Sequence, residues 1–186
     1  MKKTALSLLL LACLASVFAQ TGTQSSPAPA WRLSQETNTP DAYNFTRFTL
    51  MGQFSAPAHG ASGQPALSID CIPGTGASHP KGKYLASNLL VGSTLKIVYV
   101  EPREIHGTSY FPKVEVQYRA DETAKMEKDD WTPGTDKVSA SVPRHALREF
   151  LHGHTVVISA ADEHGQPISI RFDVPDSTAV AESCDL

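Results

Sequence analysis

Apolar and polar residues alternate along this chain far more often than they recur at helical spacing, so short strands dominate the reading. The clearest is Ala66-Leu67-Ser68-Ile69-Asp70-Cys71, in which Leu67, Ile69 and Cys71 share one side. Before it, Trp31 and Leu33 open a short strand that ends in the turn residues Asn38-Thr39-Pro40-Asp41, and Phe45 to Met51 is a β-branched and aromatic strand. After it comes Lys83 to Leu90. Leu95, Ile97 and Tyr99 then alternate with Lys96, Val98 and Val100, a pattern apolar enough on both faces to predict a central strand. Val114, Val116 and Tyr118 oppose Glu115, Gln117 and Arg119, which predicts a half-exposed antiparallel strand. Thr155 to Ala161 and Ile168 to Val174 form a hairpin through Asp162-Glu163-His164-Gly165-Gln166-Pro167. Its second strand turns Ile168, Ile170, Phe172 and Val174 inward and Ser169, Arg171 and Asp173 outward.

Helical spacing is strongest between Pro143 and Leu151. There Ala146, Leu147, Phe150 and Leu151 fall on one face, with proline early and Gly153 just past the end. That stripe predicts a helix lying on a sheet. Asp176 can cap a short last helix from Ser177 to Cys184, with Val180 and Cys184 on one face. Between the elements, Ser55 to Pro65 and Pro73 to Lys83 read as loops, Asp121 to Asp130 as a solvated charged hairpin, and Trp131 as an aromatic anchor entering Thr132-Pro133-Gly134. The fold class that follows is mainly β. Residues 31–186 are expected to form one antiparallel β-sandwich or bent sheet, with one amphipathic helix and a short C-terminal helix.

The first residues change the compartment. Met1-Lys2-Lys3, the apolar run Ala5 to Phe18 and the small residue Ala19 have the layout of a secretory signal peptide, and the run is too short for a spanning helix. Leu10-Leu11-Ala12-Cys13 resembles a lipobox, which would make Cys13 a lipid anchor. The apolar run continues to Phe18, however, which suits cleavage after Ala19 better. Residues 20–30, rich in Thr, Ser, Gln, Pro and Ala, read as a disordered leader. Periplasmic or secreted localisation follows, with no stable membrane span. Loss of Lys2 and Lys3 with the signal peptide makes a chain of formal charge −3 still more acidic, which argues against a nucleic-acid partner.

Of three cysteines, Cys71 and Cys184 survive cleavage after Ala19, and an oxidising compartment predicts a disulfide between them. The alternative is two separate buried thiols. Closing so long a loop stabilises by about 4 to 5 kcal/mol in the chain-entropy model.

Catalytic signatures fail on spacing. Gly76 to Gly82-Lys83 has one residue too many for a phosphate-cradling loop, and Tyr84 stands where a metal-binding hydroxyl is needed. Gly60-Ala61-Ser62-Gly63 does not make a nucleophile elbow. Among seven histidines His152 and His154 are the one close pair, and they suit a helix end better than a metal. Glu101 with Glu104, or Asp121 with Glu122, are the candidate carboxylate pairs. No catalytic residue, cofactor or metal ligand is assigned; the site residues are the disulfide pair.

The order of features resembles a family of small exported bacterial β proteins, one branch of which accompanies type VI secretion systems. The residues that carry the likeness are Trp31 before Pro40-Asp41, then Leu67-Ser68-Ile69-Asp70-Cys71, then Val116-Gln117-Tyr118-Arg119-Ala120-Asp121 with Trp131 and Asp136 after it. Phe172-Asp173-Val174 and the segment ending in Cys184 close the pattern. Unlike the secretion-associated branch, this chain lacks an extra N-terminal cysteine-containing segment and has Asp70 where an arginine often precedes the cysteine. The resemblance implies no catalytic residue.

Two functional classes are therefore weighed. One is a non-enzymatic envelope module that binds another envelope protein, or serves a structural role, through a sheet edge or loops. The other is a periplasmic hydrolase with a site assembled from dispersed acidic residues and histidines, in which several of His79, His106, His152 and His154 would converge.

Overall fold

A computed structural model describes residues 28–38, 43–55, 63–72, 74, 82–98 and 112–186. Ten strands and two helices run in chain order as β1 (Arg32–Asn38), β2 (Tyr43–Met51), β3 (Gln53–Phe54), β4 (Ala66–Ile72), β5 (Lys83–Leu90), β6 (Val114–Ala120), β7 (Glu127–Pro133), β8 (Ser139–Ser141), α1 (Arg144–His152), β9 (Thr155–Ala161), β10 (Pro167–Asp173) and α2 (Thr178–Cys184). All pairings are antiparallel, in the order β1-β2-β4-β5-β8-β7-β6-β9-β10-β3. The expected mainly β fold is present, as one curled sheet.

The curl has a local cause at each of two places. β7 pairs with β6 from Glu127 to Trp131 and with β8 at Thr132 and Pro133, so the sheet turns where the strand changes partner after Trp131. At the other, β2 runs into β3 with Gly52 alone between them. The first part pairs with β4 while the second pairs with β10, which carries the chain from next to one end of the strand order to the other. The Gly52 N–H reaches the Pro65 carbonyl at 2.8 Å, and the Ser55 N–H reaches that of Ser169 at 2.8 Å.

Inside the curl lie the inward residues that alternation selects. Leu67, Ile69 and Cys71 are fully buried, as are Val114, Val116 and Tyr118 on β6 and Ile168, Ile170 and Phe172 on β10. The two helices cover this core. α1 turns Ala146, Leu147 and Phe150 inward, and Phe150 packs edge-on against Tyr118 with ring centroids 5.3 Å apart and against Trp131 at 6.4 Å. Pro143 stands at its N-cap position. Gly153 ends it in extended backbone, and a Cβ there would lie 3.1 Å from that of Ala120. α2 packs on β4 and β5, buries Val180 and Cys184, and receives Arg144 Nη2 on the Asp185 carbonyl at 2.6 Å. Asp176 accepts the Thr178 N–H at 3.0 Å, one residue before the N-cap position itself, which is Ser177. Cys71 and Cys184 form the expected disulfide, with Cα atoms 5.2 Å apart across a separation of 113 residues.

One predicted element is corrected. Residues 95–98 do not form a central strand. Leu95 donates to Lys137, Lys96 to Ala161, and Val98 exchanges bonds with Lys113, so successive residues have different partners and no ladder develops. Only Leu95 is buried, while Lys96 is exposed. The apolar alternation there serves a segment crossing the strand ends. Residues 99–100 lie outside the described residues. The same holds for the signal-peptide residues 1–19 with Cys13, residues 20–27 of the 20–30 leader, the Thr39-Pro40-Asp41 turn, Gly60 to Ser62, and nearly all of the Pro73 to Lys83 loop. Three strands went unassigned by pattern. β3 and β8 are only two and three residues long, and β7 begins inside the run read as solvated hairpin.

Candidate functional site

The candidate chemical residues separate into those that build the fold and those that stand alone. Asp121, at the end of β6, has left-handed backbone with φ 69°. Its Oδ1 accepts the N–H groups of His154 at 2.7 Å and Thr155 at 3.1 Å, and these bonds hold its carboxyl below the usual carboxylate range. The carboxylate is therefore committed to joining β6 to the start of β9. Glu122, its proposed partner, pairs instead with Arg171 at 3.0 Å. Asp136 has the same kind of role. It receives the Ser139 hydroxyl and the N–H groups of Val138 and Ser139, which lower its pKa and shape the β7–β8 turn. Glu101 and Glu104 lie outside the described residues.

Among the described residues the histidines do not gather. His79 and His106 are outside the described residues, His152 and His154 are exposed, and His154 approaches the Asp121 carboxylate at 3.8 Å. His145, on α1, meets Asp129 Oδ2 at 3.0 Å, and the Trp131 indole N–H donates to the same oxygen at 3.1 Å. That contact ties the helix to β7. Tyr118 beneath it has its phenol pushed up to about 12 by burial first and then by the negative charges of Glu149, Asp129 and Glu127. Among the described residues, no group of three His, Cys, Asp or Glu side chains is placed to hold a metal ion.

On the outer face of β7, β6 and β9 is an open groove of about 790 Å³, lined by Lys96, Glu115, Gln117, Lys128, Asp130 and Ser159 among others. Lys113 pairs with Asp130 at 2.7 Å. Both charge signs are interspersed over this floor, so it presents no field of one sign to a ligand.

The edge of the sheet is different. β1 pairs with β2 in an unbroken register from Arg32↔Thr49 to Asn38↔Tyr43, and among the described residues β2 is its one strand neighbour. The other edge of β1 meets no strand among the described residues. Leu33 lies opposite buried Phe48 and so points to the inner face, yet it is 65 % exposed. On the outer face, Arg47 of β2 holds Asp70 through Nε at 2.7 Å and Nη2 at 2.9 Å. It also holds Glu36 of β1 through Nη1 at 3.0 Å. The Asp70 bond is the main cause of the raised Arg47 pKa. These pairs fix the strand against β2. The signal for it in the sequence was compositional. Arg32 to Asn38 carries Leu33 as its one large apolar residue, too little to bury either face.

Compared with protein-family models, curated proteins and solved structures, the chain matches none. Among the described residues no helix is long and apolar enough to cross a membrane.

Proposed function

We propose that this chain is an exported, non-enzymatic binding or structural module of the bacterial cell envelope, acting in the periplasm or after secretion, and that its contact with an envelope protein is made along β1. The edge of that seven-residue strand, which has no strand neighbour among the described residues, is the observation that carries the reading. Unpaired backbone donors and acceptors on such an edge take up an extended segment by main-chain hydrogen bonding. The signal-peptide layout supports export, and the Cys71–Cys184 disulfide suits an oxidising compartment. The resemblance to small exported bacterial proteins points the same way. The placement of Asp121, Glu122 and Asp136 in structural bonds supports a binding role over hydrolysis.

Photocrosslinking in the cell tests it. A photoreactive residue at Ser34, exposed on β1, is expected to give a discrete protein adduct, whereas one at exposed Glu115 in the outer groove is not. Equal labelling from both positions, or none from Ser34, would contradict the reading.

A further inference from the structure

We infer that the strand accepted by β1 is the β1 strand of a second copy of this chain, paired antiparallel about Ser34. This rests on the proposed use of β1 as a binding edge and names the occupant. Three features of the strand favour self-pairing. First, its edge lacks most of the usual guards: Arg32-Leu33-Ser34-Gln35-Glu36-Thr37-Asn38 contains no proline and no lysine, its register against β2 has no bulge, and its charges are one Arg and one Glu of opposite sign.

Second, its charges are complementary to their own reverse. Arg32 and Glu36 stand two residues either side of Ser34 and so share a face of the strand. In an antiparallel pair centred on Ser34, Arg32 of each copy falls opposite Glu36 of the other, and Ser34 faces its own counterpart. Opposite charges directly across two strands favour that register, and shifting it breaks both pairs at once. Arg32 is exposed and has no carboxylate partner among the described residues. Glu36 uses its carboxylate on Arg47 from the β2 side, which holds the acidic group in place for a second guanidinium.

Third, Leu33 falls opposite Gln35 of the other copy in this register, with the second Leu33 on the diagonal. An apolar side chain 65 % exposed in one copy is thereby covered by two neighbours. An arbitrary extended segment would satisfy the backbone equally well but would leave Arg32 and Leu33 without matched partners.

Sedimentation of the purified mature protein tests the pairing. The wild type is expected to double its mass as concentration rises. Arg32→Glu alone and Glu36→Lys alone, each confirmed folded by circular dichroism, should remain monomeric, because each sets like charges opposite one another. An equimolar mixture of the two variants should recover the dimer, since every cross-pair is then again of opposite sign. A wild type that stays monomeric up to its solubility limit, variants that dimerise as the wild type does, or a mixture that stays monomeric would each overturn the inference. If the wild type is monomeric while Ser34 still crosslinks to a different envelope protein in cells, the second copy is the wrong occupant and the binding edge stands. If Ser34 gives no adduct, both readings fall.

Discussion

Gly52 lies against the ring of Phe172 with no space for a side chain: a Cβ at Gly52 would stand 2.6 Å from Phe172 Cε1. Gly52 is the single residue between β2 and β3, and Phe172 is fully buried on β10. The contact is therefore where the chain passes from pairing with β4 to pairing with β10. Gly52→Ala should destabilise by about 1 to 3 kcal/mol through overpacking, read as a lowered urea midpoint. Phe172→Leu in the same chain should return part of that loss, because the two changes share one contact.

The disulfide fastens the last helix to β4. Changing both Cys71 and Cys184 to Ser should lower stability by about 2 to 5 kcal/mol while the β signal in circular dichroism persists. α2, seven residues long, is too short to hold alone, so its amides should lose exchange protection first. Thiol labelling of the native protein should find neither cysteine free.

Acid sensitivity should follow from Asp121. Its pKa is depressed in the folded chain, so its contribution is fully present above the unfolded value near 3.8 and is lost as pH falls through the lower folded value. Asparagine tolerates left-handed backbone and keeps an acceptor oxygen, so Asp121→Asn removes mainly the charge. The variant should be less stable than the wild type at neutral pH, and the difference should close at low pH in thermal melts.

At the alkaline end Tyr118 acts in the opposite direction. Its phenol is pushed up to about 12, so the unfolded chain ionises this group first and stability drains as pH rises above 10. Tyr118→Phe keeps the packing against Phe150 and Trp131 and should move the alkaline unfolding midpoint upward.

What alternation and punctuation specify was legible: β4, β6, β10 and α1 bury the residues that their spacing selects. Leu67, Ile69 and Cys71 turned one way, and Val180 with Cys184 turned the same face to the sheet, so the crosslink was readable too. Pattern failed where partners decide the outcome. Leu95 to Val98 has the alternation of a strand, but Lys137, Ala161 and Lys113 receive it one residue at a time. β3 and β8 are too short to show a period. The open edge of β1 was not read because an edge is a property of the strand order, and a run with Leu33 as its one large apolar residue gives little periodic signal.

Amide hydrogen exchange along β1 tests the binding edge most directly. In dilute purified protein, the N–H groups of Arg32 to Asn38 that point toward β2 should be protected and the alternate ones, facing the open edge, should exchange freely. As concentration rises and the edges pair, the alternate set should become protected as well, while the β4 amides stay unchanged. Protection of every β1 amide in the dilute monomer would show that the edge is already covered, and an alternate set that remains unprotected at all concentrations would contradict pairing through β1.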